Sequence, residues 1–371
     1  MREVVIGGIG ALSAAGQGVA ALLDSLRKNS SCLRAVDEFR SPRFQSNIVG
    51  AALSERGEDP AWSLANQALA ESREAAAEIL QNIPAERVGL VLSTTKANIV
   101  ALERLQENRP CSASARRHLQ ADLLAGDLAA AHAARGPVQC ISLACVSGLV
   151  ALAQGAHLIR RGQADAVHVV GVDSLSEFVL AGFTALKALD PAGCRPFDRE
   201  RCGLSAGEAG AAIVLVDKKF APSASIRIAG FGGSNDANHL TGPSRDGSGL
   251  AQAIRAALDS AQLSPAQIDY VHAHGTGTAY NDAMESLALK TVFGAECPPV
   301  SGSKGMFGHT LGAAGVIETI CGVLALREQF MPGTPRLSVP ADGVPARLVR
   351  EPKAAPLKNI LKLNTGFGGI N

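Results

Sequence analysis

The sequence predicts an α/β fold made of two similar halves, and three observations carry that reading. Short apolar strand-like runs alternate with Ala/Leu-rich helical stretches, the pattern of strands crossed over by helices. Each half contains one long apolar helix opened by a reactive side chain: Cys145-Val-Ser-Gly148 in the first, and Gly308-His309-Thr310-Leu311-Gly312 in the second. The composition is 47% hydrophobic but only 4% aromatic, with 39 glycines, so the core must pack small side chains and let backbones approach closely. At about 100–200 residues per domain, 371 residues suit two domains, with halves expected at 1–217 and 218–371.

In chain order, the strand-like runs are Glu3–Ile6, Val88–Leu92, Ala166–Val170, Ala211–Val216, Ser225–Ala229, Ile268–Ala273 and Ile360–Leu363. They are short, rich in Val and Ile, and bounded by turn residues. Helical stretches lie at Ala61–Gln81, Ser147–Arg161, Gly249–Ala261 and Gly312–Glu328. Ser30–Asn47 and the proline-rich Pro332–Ala346 read as loops. The strands are expected to be mostly parallel. Gly136–Ile159 contains no charged residue, yet Pro137, Gln139, Ser142, Ser147, Gln154 and His157 interrupt it, which favours a helix buried in protein over a membrane span.

Several function classes are excluded. A net charge of +1 leaves no basic footprint for nucleic acid. The start, MREVVIGGIGALSAAG, lacks the apolar core of a signal peptide. Eight cysteines without a C-x-x-C pair point to free thiols in a reducing cytoplasm. Gly8-Ile-Gly10-Ala-Leu-Ser13 lacks the third glycine of a dinucleotide fingerprint, and there is no Walker loop, G-x-S-x-G elbow or H-E-x-x-H. His272 and His274 share a strand face, but no carboxylate or thiolate at helical spacing completes a site, so no metal is expected.

Four fragments carry chemistry. Cys145 follows a β-type run and precedes a long helix, where unpaired N–H groups and the helix dipole favour a thiolate; Cys140 lacks that position. His272-Ala-His274-Gly-Thr276-Gly-Thr278, followed by Asn281-Asp282-Ala-Met-Glu285, brings a histidine out of a strand into a Gly/Thr turn whose hydroxyls face an incoming polar chain. Taken alone, this fragment reads equally well as a core histidine in a tight turn. In Ser303-Lys304-Gly-Met-Phe-Gly308-His309-Thr310, Lys304 needs a counter-charge if buried, with Glu285 the candidate, and a neutral histidine is a good donor to a developing enolate oxygen. Asn364-Thr365-Gly366-Phe367-Gly368-Gly369 reads either as a mobile hinge carrying an apolar gate or as an ordinary Gly-rich turn.

In this order the fragments are specific, and the sequence resembles the β-ketoacyl-acyl carrier protein synthases. The resemblance runs from Val4-Val-Ile-Gly-Gly-Ile-Gly10, through Arg195-Pro-Phe-Asp-Arg-Glu-Arg-Cys-Gly203 with Gly207-Glu208, to the final Gly-Phe-Gly-Gly. The Cys–His–His order resembles the elongating branch. The resemblance implies a thiolase-like duplicated α-β-α-β-α layered fold with two buried central helices. It also implies a decarboxylative Claisen condensation of malonyl-acyl carrier protein with an acyl group on Cys145. His274 and His309 would then be neutral Nε2 donors, Lys304 would be paired with Glu285, Asp282 would give support, and Thr276 and Thr278 would bind the pantetheine arm. Backbone N–H groups of Cys145 and Phe367 would form the oxyanion hole, with Gly366 and Gly368 flanking the gate.

No metal or organic cofactor is implied; substrates ride on the phosphopantetheine of an acyl carrier protein. Arg195, Arg199 and Arg201 are candidates for docking that acidic partner. The family normally dimerises near Cys140, as a homodimer or with a paralogous ketosynthase subunit. The sequence departs from the family pattern at Val146-Ser147-Gly148, at Ser93-Thr-Thr-Lys96-Ala-Asn98 and in its shorter length, and it stops at Asn371, where a closing strand is usual. The Thr-Thr-Lys loop and the compact length resemble a branch linked to aryl polyene or related pigment assembly. Two other readings remain. One is a partner subunit that sets chain length in polyketide or polyene synthesis. The other is a degradative thiolase, which usually carries a second catalytic cysteine near the C-terminus; none follows Cys321.

Overall fold

The computed structural model describes residues 2–345 and 347–371. In the first half the apolar runs become β1 (Val4–Ser13), β2 (Val88–Ser93), β3 (Val138–Ile141), β4 (Ala166–Asp173) and β5 (Ala209–Asp217). They form one sheet in the order β1-β5-β4-β2-β3, with Gly16–Gln17 on the outer edge of β1. The helices that matter here are α1 (Pro60–Ala75), α2 (Ser147–Arg160) and α3 (Glu177–Ala185). β4, β2 and β3 are parallel, as crossover helices require, but β5 runs antiparallel to both its neighbours. β1, β4, β2 and β3 therefore share one direction and β5 alone of the five is reversed, so the expectation of mostly parallel strands holds. After β4 the chain makes α3 and a loop without crossing back, so it re-enters the sheet in the opposite sense.

Gly8 and Gly10 have a packing role. A Cβ at Gly8 would lie 2.2 Å from the Ser72 carbonyl oxygen, and one at Gly10 2.1 Å from that of Ala68, so these glycines let α1 lie directly on the sheet. This explains a glycine pair after a strand that lacks the rest of a dinucleotide fingerprint.

The second half holds β6 (Tyr270–His272), β7 (Val300–Ser301) and β8 (Ile360–Lys362), parallel in the order β7-β6-β8. Its helices are α4 (Ser248–Ala261), α5 (Ala279–Phe293), the single turn α6 (Lys304–Phe307) and α7 (Ala314–Glu328). The apolar stretch predicted from Gly312 opens as a 3₁₀ turn, Leu311–Ala313, before α7. Among the described residues no helix is long and apolar enough to cross a membrane.

Ser225–Ala229, expected as a strand, is only a bridge. Val5 pairs with Arg227, and the Ile6 and Ile228 N–H groups bond across to the Ile226 and Val4 carbonyls. The other side of this segment faces an apolar cavity of about 800 Å³, lined also by α4, β8 and the start of α2, so it has no second ladder to make it a strand.

The two apolar helices, α2 and α7, cross at backbone contact. A Cβ at Gly148 would lie 2.7 Å from the Val316 nitrogen, and one at Gly315 would lie 2.4 Å from that of Leu149. Val316, Ile317 and Ile320 of α7 pack in one cluster with Ala151 of α2, Val167 and Val169 of β4, and Ile213 of β5. The small-residue core read from the composition is this crossing, and it brings the N-terminal ends of both helices to one place.

Candidate active site

Cys145 sits in a tight turn between β3 and α2. Ala144 before it has φ +46°, a left-handed conformation that costs a non-glycine residue roughly 1–2 kcal/mol. Ser147 fastens the turn: its Oγ accepts from the Leu143 N–H at 2.8 Å and donates to the Ala144 carbonyl at 2.6 Å. The Phe367 N–H donates toward Cys145 Sγ, and the Cys145 N–H has no hydrogen-bond acceptor among the described residues.

His274 leaves β6 into a loop clamped from below by two carboxylates of α5. Glu285 accepts the N–H groups of His274 (2.6 Å) and Gly275 (2.9 Å). Asp282 accepts those of Thr276 (3.0 Å), Gly277 (3.2 Å) and Phe197 (2.7 Å). The expected Lys304–Glu285 pair is therefore corrected, because Glu285 is occupied by backbone donors. Lys304, fully buried, pairs with Glu318 of α7 at 2.5 Å. Lys304 Nζ also lies 3.2 Å from His274 Nδ1 and 2.5 Å from the His274 carbonyl.

His309 is zipped to the first half. Its N–H bonds to the Ser205 carbonyl at 2.7 Å, and its carbonyl accepts from Gly207 at 2.9 Å. Its Nδ1 accepts the Leu311 N–H at 3.2 Å, and its Nε2 lies 2.9 Å from Cys145 Sγ. The His274 and His309 rings meet edge-to-face with centroids 5.2 Å apart, and the sulfur and one nitrogen from each ring lie within 4.8 Å of one another. Such a trio suits a soft metal in outline. Both Nδ1 atoms accept hydrogen bonds, however, so each ring keeps its proton on Nε2, the form that donates rather than ligates.

Burial, reinforced by the Lys304 charge, holds both imidazoles well below their ordinary pKa, so they are neutral. Burial pushes the Cys145 thiol up to about 11 against the opposing pull of Lys304. The sequence-based expectation of a thiolate at a helix end is thus corrected to a resting thiol. The first residue of α2 is Ser147, two positions beyond the sulfur-bearing residue, and desolvation is the largest influence on the thiol. Burial likewise raises Glu285 to about 7.

Thr276 and Thr278 place their hydroxyls 2.8 Å apart. The Phe367 ring is 37% exposed and packs edge-on to Phe183 of α3 at 6.3 Å. The glycine segment around it is fastened by bonds from Gly366 to Ile370 (2.8 Å) and from Gly368 to Leu240 (2.7 Å), with Gly368 at φ +89°. Of the arginines considered for docking, Arg199 is exposed. Arg195 pairs with Glu200 at 3.0 Å, and Arg201 is 3.7 Å from buried Asp282.

Sequence reasoning missed four residues. Glu318 and Lys362 are charged side chains inside apolar runs, a signal that was available. Lys362 Nζ lies 2.9 Å from Glu318 Oε2. Asn364 Nδ2 donates to the Cys145 carbonyl at 2.9 Å. Asp173, at the end of β4, pairs with Lys96 at 3.0 Å and accepts the Gly312 N–H at 2.7 Å, so the departing Thr-Thr-Lys loop supports the His309 segment.

A reactive thiol facing two neutral imidazole donors defines a thiol-based acyl-transfer site of the condensing class. A model described as the beta-ketoacyl synthase N-terminal domain matches residues 44–221, and one for the C-terminal domain matches residues 226–338. The tetracenomycin polyketide synthase ketoacyl synthase alpha subunit of Streptomyces glaucescens is 33% identical over 412 aligned residues, covering 100% of this chain and 95% of that protein. The 3-oxoacyl-[acyl-carrier-protein] synthase 2 of Vibrio harveyi is 37% identical over 265 residues, covering 67% of this chain and 64% of that one. A solved ketosynthase in complex with its chain length factor, from Xenorhabdus doucetiae, has a TM-score of 0.84 at 28% identity, covering 100% of this chain and 96% of that one. A type II polyketide acyl-carrier protein in complex with its ketosynthase gives 0.91 at 27% identity, covering 100% and 97%. The chain belongs to the β-ketoacyl synthase family, a ketosynthase with the thiolase-like fold.

Proposed function

We propose that this ketosynthase joins an acyl group held on Cys145 to malonyl-acyl carrier protein, with His274 and His309 as the catalytic donors. The observation that carries the reading is the meeting of Cys145 Sγ with one ring nitrogen from each of two neutral imidazoles within 4.8 Å, His309 Nε2 at 2.9 Å. In the first step Cys145 sulfur forms the thioester bond and the carrier's pantetheine sulfur leaves with the Cys145 proton. The resting thiol fits this exchange, because the proton is handed to the leaving group as the bond forms. In the second, the malonyl carboxylate leaves as carbon dioxide and its electron pair moves into the thioester enolate, whose oxygen accepts from His274 and His309. The enolate carbon then attacks the Cys145 thioester, whose oxygen accepts from the Cys145 and Phe367 N–H groups. Collapse expels the Cys145 sulfur, which takes up a proton. Carboxylate loss supplies the driving force, so the route calls for no metal or organic cofactor.

Lys304 positions His274, Glu285 and Asp282 support its loop, and Thr276 and Thr278 meet the pantetheine arm. Phe367, between Gly366 and Gly368, gates the entrance. We take 1–217 and 218–371 as the two halves. The partners are an acyl carrier protein and a second ketosynthase-type subunit, identical or paralogous. β3 supports such pairing: it is the open edge of its sheet, with Val138 and Leu143 exposed. Eight free cysteines suit the cytoplasm. A purely chain-length-setting role has no use for the converged cysteine, histidines and lysine.

Mass spectrometry after incubation with acyl-carrier protein tests the assignment. An acyl adduct is expected on the wild type and none on Cys145→Ala; an adduct of equal yield on the variant overturns it.

A further inference from the structure

We propose that Lys362 is a positioning residue of the condensing site: by sharing Glu318 with Lys304 it gives the buried cluster a net positive charge that keeps His274 and His309 uncharged and donating through Nε2. The inference rests on the assignment of those histidines as oxyanion donors.

Lys304 and Glu318 alone form a neutral buried pair, with side chains 0% and 1% exposed. Lys362, at the end of β8, adds a second ammonium group. Its side chain is 11% exposed, its Nζ is 2.9 Å from Glu318 Oε2, and it also donates to the Leu363 and Ala273 carbonyls. Two lysines on one carboxylate leave one positive charge in a place where a further buried ion is costly. Packing does not call for it, since an apolar side chain fits a strand end beside an apolar cavity.

The other titratable groups around Lys362 offset that charge only in part. Glu285 of α5 accepts two backbone N–H groups while burial raises it to about 7, so near neutrality it offsets part of that charge and leaves the rest. Cys321 of α7 is buried and its thiol is pushed far up, hence neutral. His272 of β6 bonds through Nε2 to Ser303 and is held neutral by burial. From the first half, Lys96 adds a further positive influence on His309, though it is paired with Asp173.

The geometry gives the charge a use. Protonating His274 on Nδ1 would set an N–H against the Lys304 ammonium 3.2 Å away, and protonating His309 would set one against the Leu311 N–H. With only a neutral Lys304–Glu318 pair nearby, that penalty shrinks and the rings titrate at higher pH.

The test compares Lys362→Met and Lys362→Arg in the full chain by NMR titration of ¹³C-labelled histidines and by the pH dependence of carbon dioxide release from malonyl-acyl carrier protein. In Lys362→Met the His274 and His309 midpoints and the acidic limb of release should rise by about one pH unit. Acylation of Cys145 at pH 8 should stay within about twofold of wild type, and Lys362→Arg should keep the wild-type limb. Unchanged midpoints in folded Lys362→Met, or Arg behaving like Met, overturn the proposal. If the Met variant does not fold, Lys362→Gln provides the same titration. A wild-type protein that releases no carbon dioxide would instead count against the histidine roles, while the ring titrations still decide the effect of Lys362 on them.

Discussion

Lys304 Nζ lies 3.2 Å from His274 Nδ1, and this contact decides which nitrogen of that ring carries the proton. An ammonium group has only donors, so Nδ1 must accept and Nε2 must hold the hydrogen. Lys304→Met removes the constraint and leaves Glu318 to Lys362 alone. Carbon dioxide release is expected to fall about 10²-fold, within the range for loss of a preorganised oxyanion donor. Single-turnover acylation at Cys145, which does not use that donor, should change far less; an equal loss in both steps would contradict the assignment.

His309→Ala separates the two steps more directly. The acyl-enzyme should still form, because the acyl oxygen uses backbone N–H groups. Decarboxylation should drop by about 10²–10³-fold. Quantifying the adduct by mass spectrometry and the released carbon dioxide from one sample checks both.

The α2–α7 crossing leaves no room for a methyl group. Gly315→Ala places a Cβ 2.4 Å from the Leu149 nitrogen, a backbone atom that cannot rotate aside. Overpacking there should cost about 1–3 kcal/mol, measured by denaturant unfolding, and should slow both chemical steps by spreading the helix ends. Gly126→Ala, where a Cβ meets nothing within 4 Å, is the control and should be neutral or slightly stabilising.

Stability should fall as the solution is acidified below about pH 6.5. His272, His274 and His309 are held neutral well below their ordinary pKa, and burial lowers His168 to about 3. The unfolded chain binds protons at these sites near pH 6.5 and the folded chain does not, so unfolding takes up protons. Each contributes a loss of about 1.4 kcal/mol per pH unit between its unfolded and folded pKa. His118 and Glu285 work in the opposite direction and offset part of the loss: Asp59 and Asp127 raise His118 against the opposing effect of burial, and burial raises Glu285 to about 7, so both bind protons in the folded chain. Unfolding free energies at pH 7.5, 6.5 and 5.5 should show a small drop over the first interval and a larger one over the second.

The site's reactive groups were legible because each stands at a break between elements. Cys145 lies between strand and helix, His274 between strand and Gly/Thr turn, and His309 between a glycine and a 3₁₀ turn. Their convergence followed from family resemblance, whereas their tautomers depend on two specific contacts. The partner of Lys304 was misread because Glu285 stood near the histidine in sequence, while Glu318 lies deep in an apolar helix and reaches Lys304 only through the fold. The thiol's ionisation was misread because the position of Cys145 beside a helix is visible in the sequence and the degree of desolvation is not. Ser225–Ala229 has strand composition but no neighbour on one side, and a one-dimensional pattern carries no record of neighbours.

The alignment with the Streptomyces glaucescens relative spans 412 positions against the 371 residues here, so gaps fall within it. The glycine-to-glycine crossing of α2 and α7 sets the site independently of them. The gap between sulfur and imidazoles is gauged by two rods touching at one point rather than by the length of any surface loop. The smallest enlargement at the point of contact therefore throws the reacting atoms out of alignment.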